Sequence, residues 1–138
     1  MSLRRICAIA LGLVMLAAAL PKLLDPPGFA QTLFNYQLLP EALRHAVALG
    51  LPWLELWIGL ALVSGRGECG AARWTLFLML AFTGALATNL AKGHAIDCGC
   101  FGSGPARSAA EKLVAMRWEV LRDLAFAALA VPLLKPRP

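Results

Sequence analysis

Four long apolar runs leave this chain few ways to fold. They are Ile6 to Leu24 (ICAIALGLVMLAAALPKLL), Val47 to Ser64 (VALGLPWLELWIGLALVS), Trp74 to Ala91 (WTLFLMLAFTGALATNLA) and Trp118 to Leu134 (WEVLRDLAFAALAVPLL). A helix needs roughly 20 mostly apolar residues to cross the hydrocarbon of a bilayer. Four such runs in 138 residues predict an all-α membrane protein, a four-transmembrane-helix bundle forming one domain over residues 1–138. Only 15% of the residues are charged, against about 25% in soluble domains. The fourth run is the least apolar, since it holds Arg122 and Asp123. It can span only if its polar end faces protein or the interface. The first run follows MSLRR and contains AAA, features of a secretory signal. It continues to Leu24, past a usual signal core, and the other three runs need a partner helix, so we read it as a retained span.

The net charge of +5 does not point to nucleic acid, because the basic residues are scattered and no aromatic ladder accompanies them. Several flank the apolar runs, where they bear on orientation. With the N-terminus inside, Arg4, Arg5, Arg66, Arg73, Lys135 and Arg137 are cytoplasmic. Lys22, Arg44, Lys92, Arg107, Lys112, Arg117 and Arg122 are then outside, so 6 of the 13 Lys and Arg face 7. The count is even, but the inner residues are concentrated in very short segments. That density predicts cytoplasmic N- and C-termini and an outer loop over residues 92–117.

Between the first two runs, the Pro26-Pro27 pair stops a helix. Phe29, Leu33, Phe34, Gln37 and Leu38 then recur at helical spacing, predicting a short interfacial helix at the membrane surface. Pro40 suits the first turn of the next helix, and Pro52 inside that helix predicts a kink. The stretch GRGECG, residues 65–70, reads as a short inside turn. Ser108 to Glu111 reads S-x-x-E, a capping box that opens the last helix. A helix from there to Leu134 would be about 39 Å long at 1.5 Å per residue, so its first two turns would stand above the membrane.

The outer loop carries the chemistry. In GHAIDCGCFGSGP, residues 93–105, Cys98 and Cys100 are separated by Gly99 alone. As a structural staple such a bridge would do little, because the loop it closes is very small. Its strained geometry makes it easy to reduce. A reversible dithiol–disulfide pair suits the spacing best. Gly99 allows the tight turn, and Gly102 and Gly104 keep the segment open to a partner. A metal site is the competing reading: His94, Cys98 and Cys100 form H-x3-C-x-C, adequate for Cu(I) or zinc, with no fourth ligand nearby. Cys7 and Cys69 fall on the other side of the membrane and read as bystanders.

Lys22, Glu55, Asn89, Arg122 and Asp123 lie within or beside the runs. An ionisable side chain at such depth is costly unless paired. One reading is interhelical glue, with Lys22 or Arg122 paired to Glu55 or Asp123. The other is a site that binds a membrane quinone or relays protons beneath the cysteines, with Trp53 and Trp57 beside Glu55 as lining.

Three stretches, KLLDPPGFAQTLFNYQLLP, LPWLELWIGLALVSG and IDCGCFG, together resemble the MauE family of methylamine-utilisation membrane proteins, within the DoxX-like group. The likeness runs in order from Lys22 to Gly102. It implies a multi-pass inner-membrane protein associated with thiol redox outside the cytoplasm. It also implies a thioredoxin-like periplasmic partner and an exported disulfide-containing client, the small (beta) subunit of methylamine dehydrogenase. Carried over, the redox pair is Cys98 and Cys100, with Asp97, Phe101 and Gly102 completing the motif; Lys22, Asp25, Tyr36 and Glu55 are further family positions. The expectation is a membrane thiol–disulfide oxidoreductase or an accessory to one. A non-enzymatic assembly factor or copper carrier is the alternative.

Overall fold

The computed structural model describes residues 1–96 and 108–136. Asp97, Cys98, Gly99, Cys100, Phe101 and Gly102 lie outside the described residues. The described chain is all-α: α1 (Leu3–Leu24), α2 (Pro26–Tyr36), α3 (Glu41–Ser64), α4 (Glu68–Ala91) and α5 (Ala109–Ala130), closed by a 3-10 turn at Val131–Leu133. By length and composition α1, α3 and α4 are candidate membrane spans; α5 is too polar to join them on those grounds.

Local chemistry sets most helix ends. Ser2 caps α1 by accepting from the Arg5 amide. The expected capping box opens α5: Ser108 Oγ accepts from Glu111 N, and Glu111 Oε2 accepts from Ser108 N. Pro40 precedes α3 as its N-cap rather than entering its first turn. The turn between α3 and α4 is shorter than GRGECG suggested, because Glu68, Cys69 and Gly70 already belong to α4. Gly65 (φ +81°) and Gly67 (φ +69°) take left-handed conformations there, which a side chain would strain. The last helix stops at Ala130 rather than Leu134. Pro132 has no N–H to donate to the carbonyl four residues back, so the chain tightens into the 3-10 turn.

The four long helices bundle. Packing is most extensive between α1 and α3 and between α4 and α5, and α3 meets α4 more lightly. The core is built from Ala8, Leu11 and Met15 of α1, Ile58 and Leu62 of α3, Ala72, Leu78 and Met79 of α4, and Ala127 and Ala130 of α5. Lipid tails are as apolar as leucine, so close packing rather than escape from water must hold such helices together. The α1–α3 pair shows how. A Cβ on Gly12 would lie 2.7 Å from Val63 Cγ2 and 2.9 Å from the Gly59 carbonyl oxygen; one on Gly59 would lie 2.8 Å from Leu16 Cδ2. The two glycines let the backbones touch.

The short helix α2 also packs on protein. Phe29, Leu33 and Tyr36 are buried. Phe29 and Leu33 lie against Ala48, and Tyr36 lies against Leu86 and Met116. The buried stripe is therefore 29-33-36, while Phe34 and Leu38 point outward. Gln37 ends the helix in a left-handed conformation (φ 55°).

Candidate functional site

Two polar centres lie inside the bundle. In the first, Lys22 of α1 and Glu55 of α3 are 2% and 1% exposed. Lys22 Nζ donates to both carboxylate oxygens, at 2.6 and 2.8 Å. Two aromatic rings flank the same ammonium, Phe29 with its centroid at 5.1 Å and Phe82 at 5.4 Å. The negative faces of such rings attract a cation, so Lys22 is held as a charge on three sides. Lys22 sits in the last turn of α1, yet its long stem carries Nζ to the middle of α3.

Asp123 of α5 is buried as well and lies within electrostatic range of Lys22. Its Oδ1 accepts from Arg122 Nε at 3.2 Å and Nη2 at 3.0 Å, while Oδ2 is buried without a hydrogen-bond partner. Of the pairings expected among these residues, Lys22–Glu55 forms across helices and Arg122–Asp123 forms within α5. Ammonium and carboxylates from α1, α3 and α5 converge on one region, which is how the most polar of the long helices is accommodated against apolar neighbours.

The second centre is at the end of the bundle nearest the cysteine segment. Asn89 of α4 donates from Nδ2 to the Tyr36 carbonyl at 3.3 Å and to the Ala85 carbonyl at 3.0 Å. It ties α2 to α4, apart from the charged group. Ile96, which immediately precedes Asp97, is buried with Tyr36, Leu86 and Met116. Gly93, with φ +71°, and the His94 amide bonded to the Asn89 carbonyl at 2.9 Å turn the chain out of α4. The His94 side chain is exposed. Among the described residues no cluster of three or more His, Cys, Asp or Glu could hold a metal ion; the H-x3-C-x-C set falls largely outside them.

Trp53 and Trp57 do not line a pocket around Glu55. They are 56% and 69% exposed, because their positions two residues to either side of Glu55 place them on the outer face of α3.

One cluster went unseen in the sequence. At the opposite end, Arg5 donates to Glu68 Oε1 at 3.1 Å and to the carbonyls of Leu62 and Val63, the last turn of α3. Arg4 donates to Glu68 Oε2 at 3.3 Å and to the Lys135 carbonyl at 2.6 Å. Cys69 Sγ donates to the Leu134 carbonyl at 2.9 Å. Cations here satisfy the orphan carbonyls of helix C-termini and oppose their negative dipole ends. Glu68, an acid opening α4 directly after Gly-Arg-Gly, was the available signal.

The profile of a family described as "Methylamine utilisation protein MauE" matches residues 1–135. The chain belongs to the MauE family. The MauE protein of Methylorubrum extorquens is 42% identical over 93 residues, covering 67% of this chain and 50% of that protein. Those of Paracoccus denitrificans and Methylophilus methylotrophus are 37% and 36% identical over 122 residues, 88% of this chain and 62% and 64% of theirs. The chain therefore spans between half and two thirds of the length of these MauE relatives. No solved structure matches it.

Proposed function

We propose that this chain is a four-span membrane thiol–disulfide redox protein acting in the maturation of exported, disulfide-containing proteins. As the names of its relatives suggest, the setting would be methylamine utilisation. The carrying observation is the placement of Ile96. The residue next to Asp97-Cys98-Gly99-Cys100 is packed into the cluster that joins α2, α4 and α5, so the cysteine segment leaves from a fixed platform. In this reading α5 is the fourth span, accepted by the membrane because its buried Asp123 is paired with Arg122 and faces the bundle interior. The Arg4, Arg5 and Glu68 end is cytoplasmic, and the platform end, with α2, is periplasmic.

The chemistry is thiol–disulfide exchange. A thiolate of a thioredoxin-like partner attacks the Cys98–Cys100 disulfide, forming a mixed disulfide and releasing one thiolate. The partner's second thiol resolves that intermediate, leaving the partner oxidised and Cys98 and Cys100 as a dithiol. Two electrons and two protons have moved to this chain, and the partner's disulfide goes on to the exported client. Lys92, His94 and Arg107 are close in sequence and can favour the thiolate form, while the adjacent Asp97 opposes it.

Trapping tests the proposal. With Cys100→Ser or Cys98→Ser, the remaining thiolate of a redox protein opens the disulfide of the oxidised partner, the reverse of the exchange above, and the mixed disulfide accumulates, visible on non-reducing gels. Absence of that species with both single variants, together with stoichiometric copper on the purified protein, would establish a metal carrier instead.

A further inference from the structure

The light contact between α3 and α4 leaves an apolar groove of about 580 Å³, roofed by α2 and lined by Tyr36, Leu51, Phe77, Ala81, Phe82 and Gly84 among others. That volume is within the roughly 300–1,000 Å³ of small-molecule sites, which are mostly apolar with few polar groups. We infer that the α2–α3–α4 groove binds an isoprenoid quinone, the two-electron acceptor that re-oxidises the Cys98–Cys100 dithiol; the electron-transfer half rests on the function proposed above.

Three observations select this class of ligand. The groove is walled by residues of two candidate spans, and its lining residues Phe77 and Leu80 are exposed on the outer face of the bundle, so in a membrane its occupant must be lipid-soluble. Its lining includes three aromatic rings, Tyr36, Phe77 and Phe82, which suit a planar ring; a plain acyl chain has no need of them. Its floor is flat at Gly84, where a Cβ would meet nothing within 4 Å. The groove also joins the two polar centres. Phe82 is one of the two rings that flank the Lys22 ammonium, and Tyr36 belongs to the platform that precedes the cysteines. A quinone here lies beside fixed charge at one end and, at the other, beside Tyr36, which packs with Ile96, the residue that precedes Asp97. The step balances: the dithiol gives up two electrons and two protons as its S–S bond forms, and the quinone takes both pairs to become the quinol.

The full chain is purified from membranes and its bound lipids are extracted and separated, so that quinone and phospholipid are measured apart. Quinone is expected to co-purify with the wild type and with the Cys98→Ser/Cys100→Ser protein. It should be lost from Gly84→Leu, which fills the floor at a position where a Cβ meets nothing within 4 Å, and retained in Gly70→Leu, the same change at another such position of α4. Phospholipid alone, or quinone content unchanged by Gly84→Leu, overturns the site. A second arm adds decylubiquinone to the reduced protein and counts lost thiols against quinol formed, with two thiols per quinol expected. Quinone bound with no thiol oxidised leaves the binding site standing and refutes the redox half. Mixed disulfides trapped as above with no quinone bound refute this inference alone.

Discussion

Changing Glu55 to Gln removes one charge from a pair that is almost completely enclosed. The amide oxygen can still accept from Lys22 Nζ, so one of the two hydrogen bonds at 2.6 and 2.8 Å survives. What disappears is the compensation of a buried ammonium. Removing one member of a buried pair typically costs about 3–5 kcal/mol. The cation–π contacts of Lys22 with Phe29 and Phe82 are present in both proteins, so they cancel from this difference. The retained hydrogen bond places the expected loss at the lower bound, about 3 kcal/mol, or roughly 150-fold in the folding equilibrium. The paired change Lys22→Met/Glu55→Met removes both charges at similar volume, and should recover most of that loss because a hydrophobic replacement is often neutral or better. Reversible unfolding in mixed micelles, followed by tryptophan fluorescence, measures all three proteins. A double variant no more stable than Glu55→Gln refutes the reasoning, because the cost would then not be an unpaired charge. The redox state of Cys98 and Cys100 in cells, read by thiol alkylation and gel shift, separates packing from chemistry. Normal abundance with the cysteines frozen in one state would assign Glu55 to the reaction.

Gly59→Ala should cost about 1–3 kcal/mol by overpacking, since its Cβ would meet Leu16 and the Gly12 carbonyl; Gly84→Ala should be neutral or gain up to about 1 kcal/mol from helix propensity, and the same unfolding assay compares them. Asn89→Leu leaves the Tyr36 carbonyl without this donor and should cost about 1–3 kcal/mol, with faster hydrogen exchange over residues 26–40 as its local signature. A membrane-impermeant maleimide on intact spheroplasts should label reduced Cys98 or Cys100 and spare Cys69; labelling of Cys69 alone would invert the topology.

The apolar runs, the capping box at Ser108 and the glycines at 65 and 67 are local signals, settled by residues within one turn of each other, and the helices they announced are present. Helix ends shifted by up to six residues, as at α4, which begins at Glu68 rather than Trp74. Charged first-turn residues lower mean hydropathy without breaking a helix. That Lys22, Glu55, Arg122 and Asp123 would need partners was also legible, because an ionised group among apolar residues is costly in any fold. Which of them pair was not, since that depends on how deep α1 ends beside α3 and on the reach of the lysine stem.

The bundle's inner and outer faces belong to tertiary structure alone. In a soluble protein a buried stripe stands out because the opposite face is polar. Here lipid and protein interior are equally apolar, so Trp57 on the outer face and Leu62 in the core carry the same sequence signal. The exposure of Trp53 and Trp57, the 29-33-36 stripe of α2, the Gly12–Gly59 contact and the groove beside Gly84 all follow from helix rotation and crossing. By itself the sequence determined that this chain is helical, where its chain reversals fall, and which few polar groups must be matched inside it. Only the packed structure decided which helix meets which, because that choice is made by the fit of small and large side chains between helices, and hydropathy does not record shape.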